Sequence, residues 1–108
     1  MTPAEEKFNA IVEQLVAGNA DVHLGKMMSS PGLKTGKDVF AFYFKETMGF
    51  RLGKQFDPSK FGLRTARHLS PFKTKPPLTA WQVVDFEEAE LWEQLAEMAL
   101  GFTRGLKK

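Results

Sequence analysis

Side chains able to carry acid–base or metal chemistry are few and widely spaced in this sequence. The two histidines, His23 and His68, lie 45 positions apart, and neither has patterned carboxylates beside it. An imidazole that binds a metal ion or acts as a general base works together with such neighbours. Both are therefore interpreted as ordinary strand or loop histidines, and neither a metal nor a cofactor is predicted.

Serines and glycines also lack the patterns that catalysis or nucleotide binding requires. Ser29 and Ser30 precede a Pro-Gly pair without a G-x-S-x-G nucleophile elbow, so turn formation explains them. The glycines form neither G-x-G-x-x-G nor a phosphate-binding loop followed by Lys and Ser or Thr. The absence of cysteine excludes thiolate metal sites, a cysteine nucleophile and disulfides. Because no catalytic constellation remains, the sequence predicts a protein that is not an enzyme.

Positive charge is concentrated in residues 51–75, which hold seven basic residues and one acidic residue in a chain of net charge +2. The favoured interpretation is a solvated loop region that keeps an aromatic-rich protein soluble. The alternative is weak, sequence-independent binding of nucleic acid or another anion. No helix-turn-helix, zinc-finger or RNA-recognition signature accompanies the segment. The candidate anion-binding residues are Arg51, Lys54, Lys60, Arg64, Arg67, Lys73 and Lys75.

An aromatic and β-branched run at residues 39–44 (VFAFYF) is typical of a central strand. Strict alternation would place Phe40, Phe42 and Phe44 on one face and the other three residues on the opposite face. With both faces apolar, the strand is either sandwiched, which is the favoured interpretation, or it has one face open to a ligand or partner. The candidate partner surface consists of Val39, Ala41 and Tyr43.

The N-terminal segment has the signature of a helix. Thr2, Pro3 and Glu5 match an N-cap, a proline at the first helical position and a capping-box acid. A helix is therefore predicted over residues 3–17. Its apolar stripe consists of Phe8, Ile11, Val12 and Leu15.

Strand patterns dominate the next part of the chain. Residues 39–44 and the alternating residues 48–52 predict a β-hairpin. Upstream, residues 22–28 predict a weaker strand, separated from a short extension at residues 33–34 by residues 29–32, whose Pro-Gly pair at 31–32 fits a turn. Three neighbouring antiparallel strands are the predicted result.

The rest of the chain mixes short elements with a final helix. Residues 56–62 predict a single helical turn, and residues 69–72 and 80–84 predict further strands. Asp85 and Glu88 match the cap and the acid of a capping box at the start of the last helix. The predicted apolar face of that helix is formed by Leu91, Leu95, Met98 and Phe102.

Length and composition predict a single domain over residues 1–108, because 108 residues suit one hydrophobic core and the apolar fraction of 43% is that of a globular protein. The element order predicts an α+β fold, with an antiparallel sheet packed against N- and C-terminal helices. No apolar run approaches the roughly 20 residues of a membrane helix. The absence of cysteine and of an apolar leader predicts a cytoplasmic protein that does not enter a membrane.

A resemblance to a known family extends over nearly the whole chain. It rests on turn glycines and strand aromatics: residues 25–34 (GKMMSSPGLK), Gly36, residues 39–42 (VFAF), residues 51–52 (RL), residues 56–58 (FDP), Trp81 and residues 83–84 (VV). In these positions the chain resembles the TfoX N-terminal-domain family. The resemblance implies a curved antiparallel sheet with helices against it, as in secretion chaperones and the YjbR group. It also implies a regulatory role and no set of catalytic residues.

Three functional hypotheses follow from the sequence. The leading one is a regulatory module that contacts a protein partner or a second copy of itself, with a homodimer as its simplest form. The second is weak binding of nucleic acid by the basic residues. The third is a small-ligand binder or enzyme with a cavity between sheet and helices, where Arg67 and His68 would lie at the mouth.

Overall fold

Two α-helices, a short 3₁₀ helix and six strands make up the part of the protein that the structure, a computed structural model, describes: residues 2–27, 30–69 and 78–105. In chain order the elements are α1 (Pro3–Gly18), β1 (Val22–Met27), β2 (Ser30–Thr35), β3 (Asp38–Phe44), β4 (Thr47–Arg51), β5 (Arg67–Leu69), β6 (Leu78–Asp85), the 3₁₀ helix (Phe86–Leu91) and α2 (Trp92–Gly105).

The strands form one antiparallel sheet in the order β1-β2-β3-β4-β6-β5. The first four strands are a meander, and β6 pairs with β4 on one side and β5 on the other. Both helices pack on the same face of the sheet, where a single apolar cluster joins helix and strand residues. The predicted α+β fold is confirmed. No helix among the described residues is long and apolar enough to cross a membrane.

Helix α1 begins as its sequence predicts. The Thr2 hydroxyl accepts a hydrogen bond from the Glu5 N–H at 3.2 Å, and the Glu5 carboxylate accepts one from the Thr2 N–H. This reciprocal box satisfies two backbone donors at the helix start. On the predicted stripe, Phe8, Ile11 and Leu15 are buried against the sheet.

A β-bulge in β3 changes which side chains share a face. Lys34 pairs with Val39 and Leu33 pairs with Ala41, so Phe40 is an extra residue with no partner in β2. One unpaired residue reverses the alternation of side chains along a strand. Phe40 and Ala41 therefore both belong to the helix-side core, whereas Val39 packs on the opposite side of the sheet.

The bulge makes the predicted common face of Val39, Ala41 and Tyr43 wrong. Ala41 is fully buried beneath the helices, and the Tyr43 ring lies 5.5 Å from the ring of Phe8 in α1. Strict alternation was the basis of the prediction, and a bulge has no clear signal in an all-apolar run.

Residues 31–32, predicted as a turn, lie inside β2. Pro31 opposes Lys26 of β1, and the pairing of β2 with β3 ends at Gly32 and Phe42. A proline is tolerated in a strand where no neighbour accepts from its nitrogen. The strand predictions for β3, β4 and β6 are confirmed within one or two residues, and β5 ends at Leu69. The remainder of the predicted 69–72 strand lies outside the described residues.

The last helix has a different start and a different buried face from those predicted. Asp85 makes no side-chain cap, and the 3₁₀ helix precedes the α-helical turns of α2. The buried residues of α2 are Trp92, Leu95, Ala96, Ala99, Leu100 and Thr103, whereas Met98 is 38% exposed. Alanines at the contact allow the helix axis to approach the sheet closely, so the helix buries its alanine side and turns Met98 outward.

Residues 58–62 form turns in place of the predicted helical turn. Phe61 N–H and Gly62 N–H donate to the carbonyls of Pro58 and Ser59, each three residues back. Asp57 acts as the predicted cap, because its Oδ1 accepts from the Ser59 N–H at 3.0 Å.

The two-residue loop between β3 and β4 contains a conformational strain that mutation can remove. Lys45 and Glu46 have φ values of 45° and 64°, where a side chain clashes with its own backbone. Such loops favour Asn-Gly. We expect the double substitution Lys45→Asn and Glu46→Gly to raise the free energy of unfolding by about 1 kcal/mol, measured by urea denaturation with an unchanged m-value.

The loop between β2 and β3 supplies the control for this prediction. Lys37 lies there without a positive φ, so Lys37→Gly should slightly destabilise the protein through greater freedom of the unfolded chain. Equal stabilisation by both changes would show that strain at Lys45 and Glu46 is not the cause.

Candidate functional site

The structure separates the basic residues that the sequence groups together. Arg51 is half-buried at the end of β4, whereas Lys54, Lys60 and Arg64 are exposed in the connection to β5. Arg67 begins β5. Lys73 and Lys75 lie outside the described residues.

Arg67 is engaged in an ion pair. Its Nη1 lies 2.8 Å from Asp85 Oδ1 and 3.2 Å from the Thr65 carbonyl. Both side chains of the pair are about half exposed, so the pair contributes little to stability. The Asp85 carboxylate does, however, offset the positive charge of Arg67, so that Arg67 attracts a more distant anion less strongly.

Arg51 and Lys54 share a cavity of about 600 Å³. Among the described residues, neither of the two forms an ion pair. Neither Arg67 nor His68, which were predicted at the mouth of a cavity between sheet and helices, lines this cavity. The lining consists of Arg51, Leu52, Gly53, Lys54, Gln55, Ala80 and Phe102.

Backbone geometry fixes the shape of this cavity. The N–H groups of Leu52 and Gly53 both donate to the Ala80 carbonyl, at 2.9 and 3.0 Å, and hold the segment after β4 against β6. Gly53 has a φ of 91°, and a Cβ there would lie 2.7 Å from the Phe102 ring. Only glycine satisfies both conditions, so the Phe102 ring can lie directly on the backbone.

The histidines cannot act together. His23 lies in β1 and His68 in β5, which are the two edges of the sheet. Five strand spacings of about 4.8 Å separate them by roughly 24 Å. No group of three or more metal-ligating side chains is found in the described ranges.

A buried carboxylate that sequence reasoning assigned to a capping box has another role. Glu88, 4% exposed, accepts hydrogen bonds from the Arg64 N–H, the Thr65 N–H and the Thr65 hydroxyl at 2.6–3.0 Å. These bonds, the Thr65 hydroxyl first, hold the pKa of Glu88 below its ordinary value. A carboxylate that remains ionised in this way fastens a loop and is unsuited to proton transfer.

The sheet face opposite the helices carries a second small core. Phe42, Trp81 and Val83 are 3–8% exposed there, with Val39, Leu69 and Ala80 packed around them. The rings of Phe42 and Trp81 lie 5.5 Å apart. Because these side chains are already covered, the described residues of this face offer no open aromatic groove.

Strand β1 forms one edge of the sheet, and its outer side has backbone N–H and C=O groups that pair with no other described strand. The Val22 N–H donates to the Asn19 carbonyl, and the Gly36 N–H donates to the Asp21 carbonyl. Asp21 and Gly36 therefore form a hydrogen-bonded pair of the ladder, whereas Val22 and Thr35 form a non-hydrogen-bonded pair. Hydrogen-bonded and non-hydrogen-bonded pairs alternate along an antiparallel ladder.

This alternation directs alternate residues of β1 outward. His23 and Gly25 bond to β2, whereas the N–H and C=O groups of Leu24 and Lys26 point away from the sheet. Pro31, opposite Lys26, agrees with this register. Lys26 and Pro31 form a non-hydrogen-bonded pair, so β1 needs no backbone N–H from the proline. Leu24 is 60% exposed, more than any other large apolar side chain described.

The start of β1 is fixed to the end of α2. Both Asp21 carboxylate oxygens accept from the Arg104 guanidinium, with Nε at 2.9 Å from Oδ2, and the Thr35 hydroxyl donates to Oδ2. These bonds, led by Arg104, hold the pKa of Asp21 well below its usual range. The edge strand is thus anchored at its N-terminal end.

Sequence reasoning missed both Leu24 and Phe102 as site residues. Leu24 has the pattern of any strand leucine, and its exposure depends on the tertiary structure, since Val22 in the same edge strand is buried. In the sequence, Phe102 belongs to the predicted apolar face of the last helix, which indicates a core residue. Its proximity to Arg51 depends on how α2 lies across the sheet.

A comparison with protein-family models, curated proteins and solved structures found no match to this chain. The resemblance to the TfoX N-terminal-domain family therefore stays a prediction.

Proposed function

We propose that this protein is a non-enzymatic interaction module that binds an extended, acidic segment of a partner protein along the free edge of β1. The observation that carries the proposal is the outward N–H and C=O of Leu24 and Lys26, beside an exposed leucine side chain. An unpaired strand edge is a template for an added strand, and backbone hydrogen bonds supply the affinity.

The charge of the edge supports an acidic occupant. β1 and β2 contain Lys26 and Lys34 and no acidic residue. Lys34 lies across Gly25, because a Cβ at Gly25 would meet its Cδ and Cγ. The two lysines lie on opposite faces of the sheet, because Lys34 is paired with His23 and covers Gly25, whereas Lys26 shares the face of Leu24. An added strand with its apolar side chains beside Leu24 would place its carboxylates on the face of Lys34, and such complementarity increases the association rate and selects the partner.

The same charges count against a second copy of β1 as the occupant. A two-fold pairing would bring the lysines of two copies to one edge without any carboxylate between them. A homodimer therefore becomes an outcome that the experiment below can detect. A regulatory role, which the family resemblance implies, is compatible with capture of a partner strand.

Binding of nucleic acid is the weaker candidate. Arg67 is paired with Asp85, Glu88 lies beneath the backbone of Arg64, and Lys60 lies within the turns at residues 58–62, whereas Lys54 lines the cavity beside Arg51. These residues do not form one continuous positive stripe.

We expect a peptide of alternating Val and Glu to bind at β1 and a Val and Lys peptide to bind much more weakly. Hydrogen–deuterium exchange should show new protection at the amides of Leu24 and Lys26. Leu24→Pro should abolish binding, because it removes one outward N–H while the bonds of His23 and Gly25 to β2 are retained. Leu24→Ala keeps that N–H and should weaken binding only a few-fold.

Integrity of the edge is checked in the same experiment. The amides of Gly32 and Lys34, which face β1, should stay protected in Leu24→Pro. Equal binding by Leu24→Pro and the wild type would overturn the proposal. A dimer in sedimentation that Leu24→Pro converts to monomer would identify a second copy as the occupant, and the acidic-strand proposal would then be wrong.

A further inference from the structure

We propose that the cavity between the end of β4 and α2 binds an organic anion, namely a carboxylate or phosphate carried on a flat apolar group. The site is remote from the β1 edge, so this inference does not rest on the proposed function. It rests on two cationic side chains and one aromatic ring that line a single cavity.

The charges at one side of the cavity define the anionic group. Arg51 and Lys54 both line it, and within the described residues no carboxylate pairs with either. A guanidinium offers parallel N–H donors that match a carboxylate or phosphate, and an ammonium adds a second charge. Arg51 is also half-buried, which strengthens its interaction with an anion relative to that of a fully solvated arginine.

The remaining walls define the apolar group. Leu52, Ala80 and Phe102 line the cavity, and the contact of Gly53 with the Phe102 ring leaves no side chain between ring and backbone. A volume of about 600 Å³ lies within the range of small-molecule sites, about 300–1,000 Å³. Inorganic phosphate would leave these apolar walls unused, so the ligand must carry an apolar body.

Four probes separate charge from shape: 2-naphthoate, 2-naphthyl phosphate, the neutral 2-naphthamide and inorganic phosphate. We expect both naphthyl anions to bind at least tenfold more tightly than 2-naphthamide and inorganic phosphate, by calorimetric titration. The tighter of the two identifies the preferred anionic group. Amide chemical shifts should move at Leu52, Gly53, Gln55 and Phe102.

Three variants with the same loss of one charge test the assignment. Arg51→Gln should weaken naphthoate binding about tenfold, the loss expected for a charge-assisted hydrogen bond. Lys54→Gln, at an exposed position that leaves folding intact, should weaken it about threefold. Lys60→Gln is the matched control outside the cavity and should leave binding unchanged.

Several results would overturn the inference. Equal affinity for 2-naphthoate and 2-naphthamide would show that the cations do not take part. Equal affinity for inorganic phosphate would show that the apolar walls do not. Shift changes confined to other parts of the chain, or equal effects of Lys54→Gln and Lys60→Gln, would place the ligand outside this cavity.

Discussion

Replacing Glu88 with alanine is expected to lower the free energy of unfolding by about 3 kcal/mol. The change leaves the N–H groups of Arg64 and Thr65 and the Thr65 hydroxyl without their common acceptor. Thr65 is half-buried, so water replaces the carboxylate only in part. Urea denaturation measures the loss, and Glu87→Ala, at an exposed neighbour, should change stability by less than about 0.5 kcal/mol.

The pH dependence of stability gives the same prediction a second readout. The folded-state pKa of Glu88 is lowered, so its stabilisation is fully present above the ordinary glutamate pKa of about 4.3 and is lost as the pH falls through the folded value. The stability difference between wild type and Glu88→Gln should therefore be largest near neutral pH and narrow below about pH 4.3. Asp21 titrates in both proteins and cancels in this difference. A gap that stays constant down to acid pH would contradict the assignment.

Gly49→Ala is expected to cost about 2 kcal/mol, because the new Cβ would lie 2.1 Å from Cε1 of the buried Phe42 ring. That ring packs against Trp81 and cannot move away freely. Phe42→Ala alone should cost about 3 kcal/mol through the cavity that it leaves. In the Phe42→Ala background, Gly49→Ala should cost less than about 0.5 kcal/mol, since the clash is gone.

A helical glycine supplies the control for this cycle. Gly101 in α2 has no atom within 4 Å of an added Cβ, so Gly101→Ala should stabilise the protein by about 0.5–1 kcal/mol. Additive costs for Gly49→Ala and Phe42→Ala would mean that the ring does not lie over the glycine.

The sequence was sufficient to predict α1, the hairpin of β3 and β4 and the α+β class, because those features depend on local signals. The capping box at Thr2 and Glu5 is one such signal, and the aromatic run in β3 is another. Both act within a few residues, and the structure confirms both.

The features that could not be predicted depend on contacts between distant residues. Glu88 has the spacing of a capping box, but its carboxylate accepts hydrogen bonds from the backbone N–H groups of Arg64 and Thr65 instead of capping the helix. The bulge at Phe40 allows β3 to contribute side chains to the core on each face of the sheet. The partners in those cores come from other elements, so the sequence of β3 alone does not predict the bulge. Likewise, Arg51 and Phe102 line the same cavity only because α2 is placed beside the end of β4.

The position of β6 between β4 and β5 imposes an order on folding. The meander from β1 to β4 joins residues that are close in sequence, whereas Thr47 of β4 must find Asp85 of β6 across the whole β5 segment. Closing that long loop costs entropy before any contact repays it. During synthesis, β4 therefore emerges with an open edge and with Met48 and Phe50 uncovered until β6 and α2 arrive. We therefore expect the nascent chain to be most prone to aggregation in that interval.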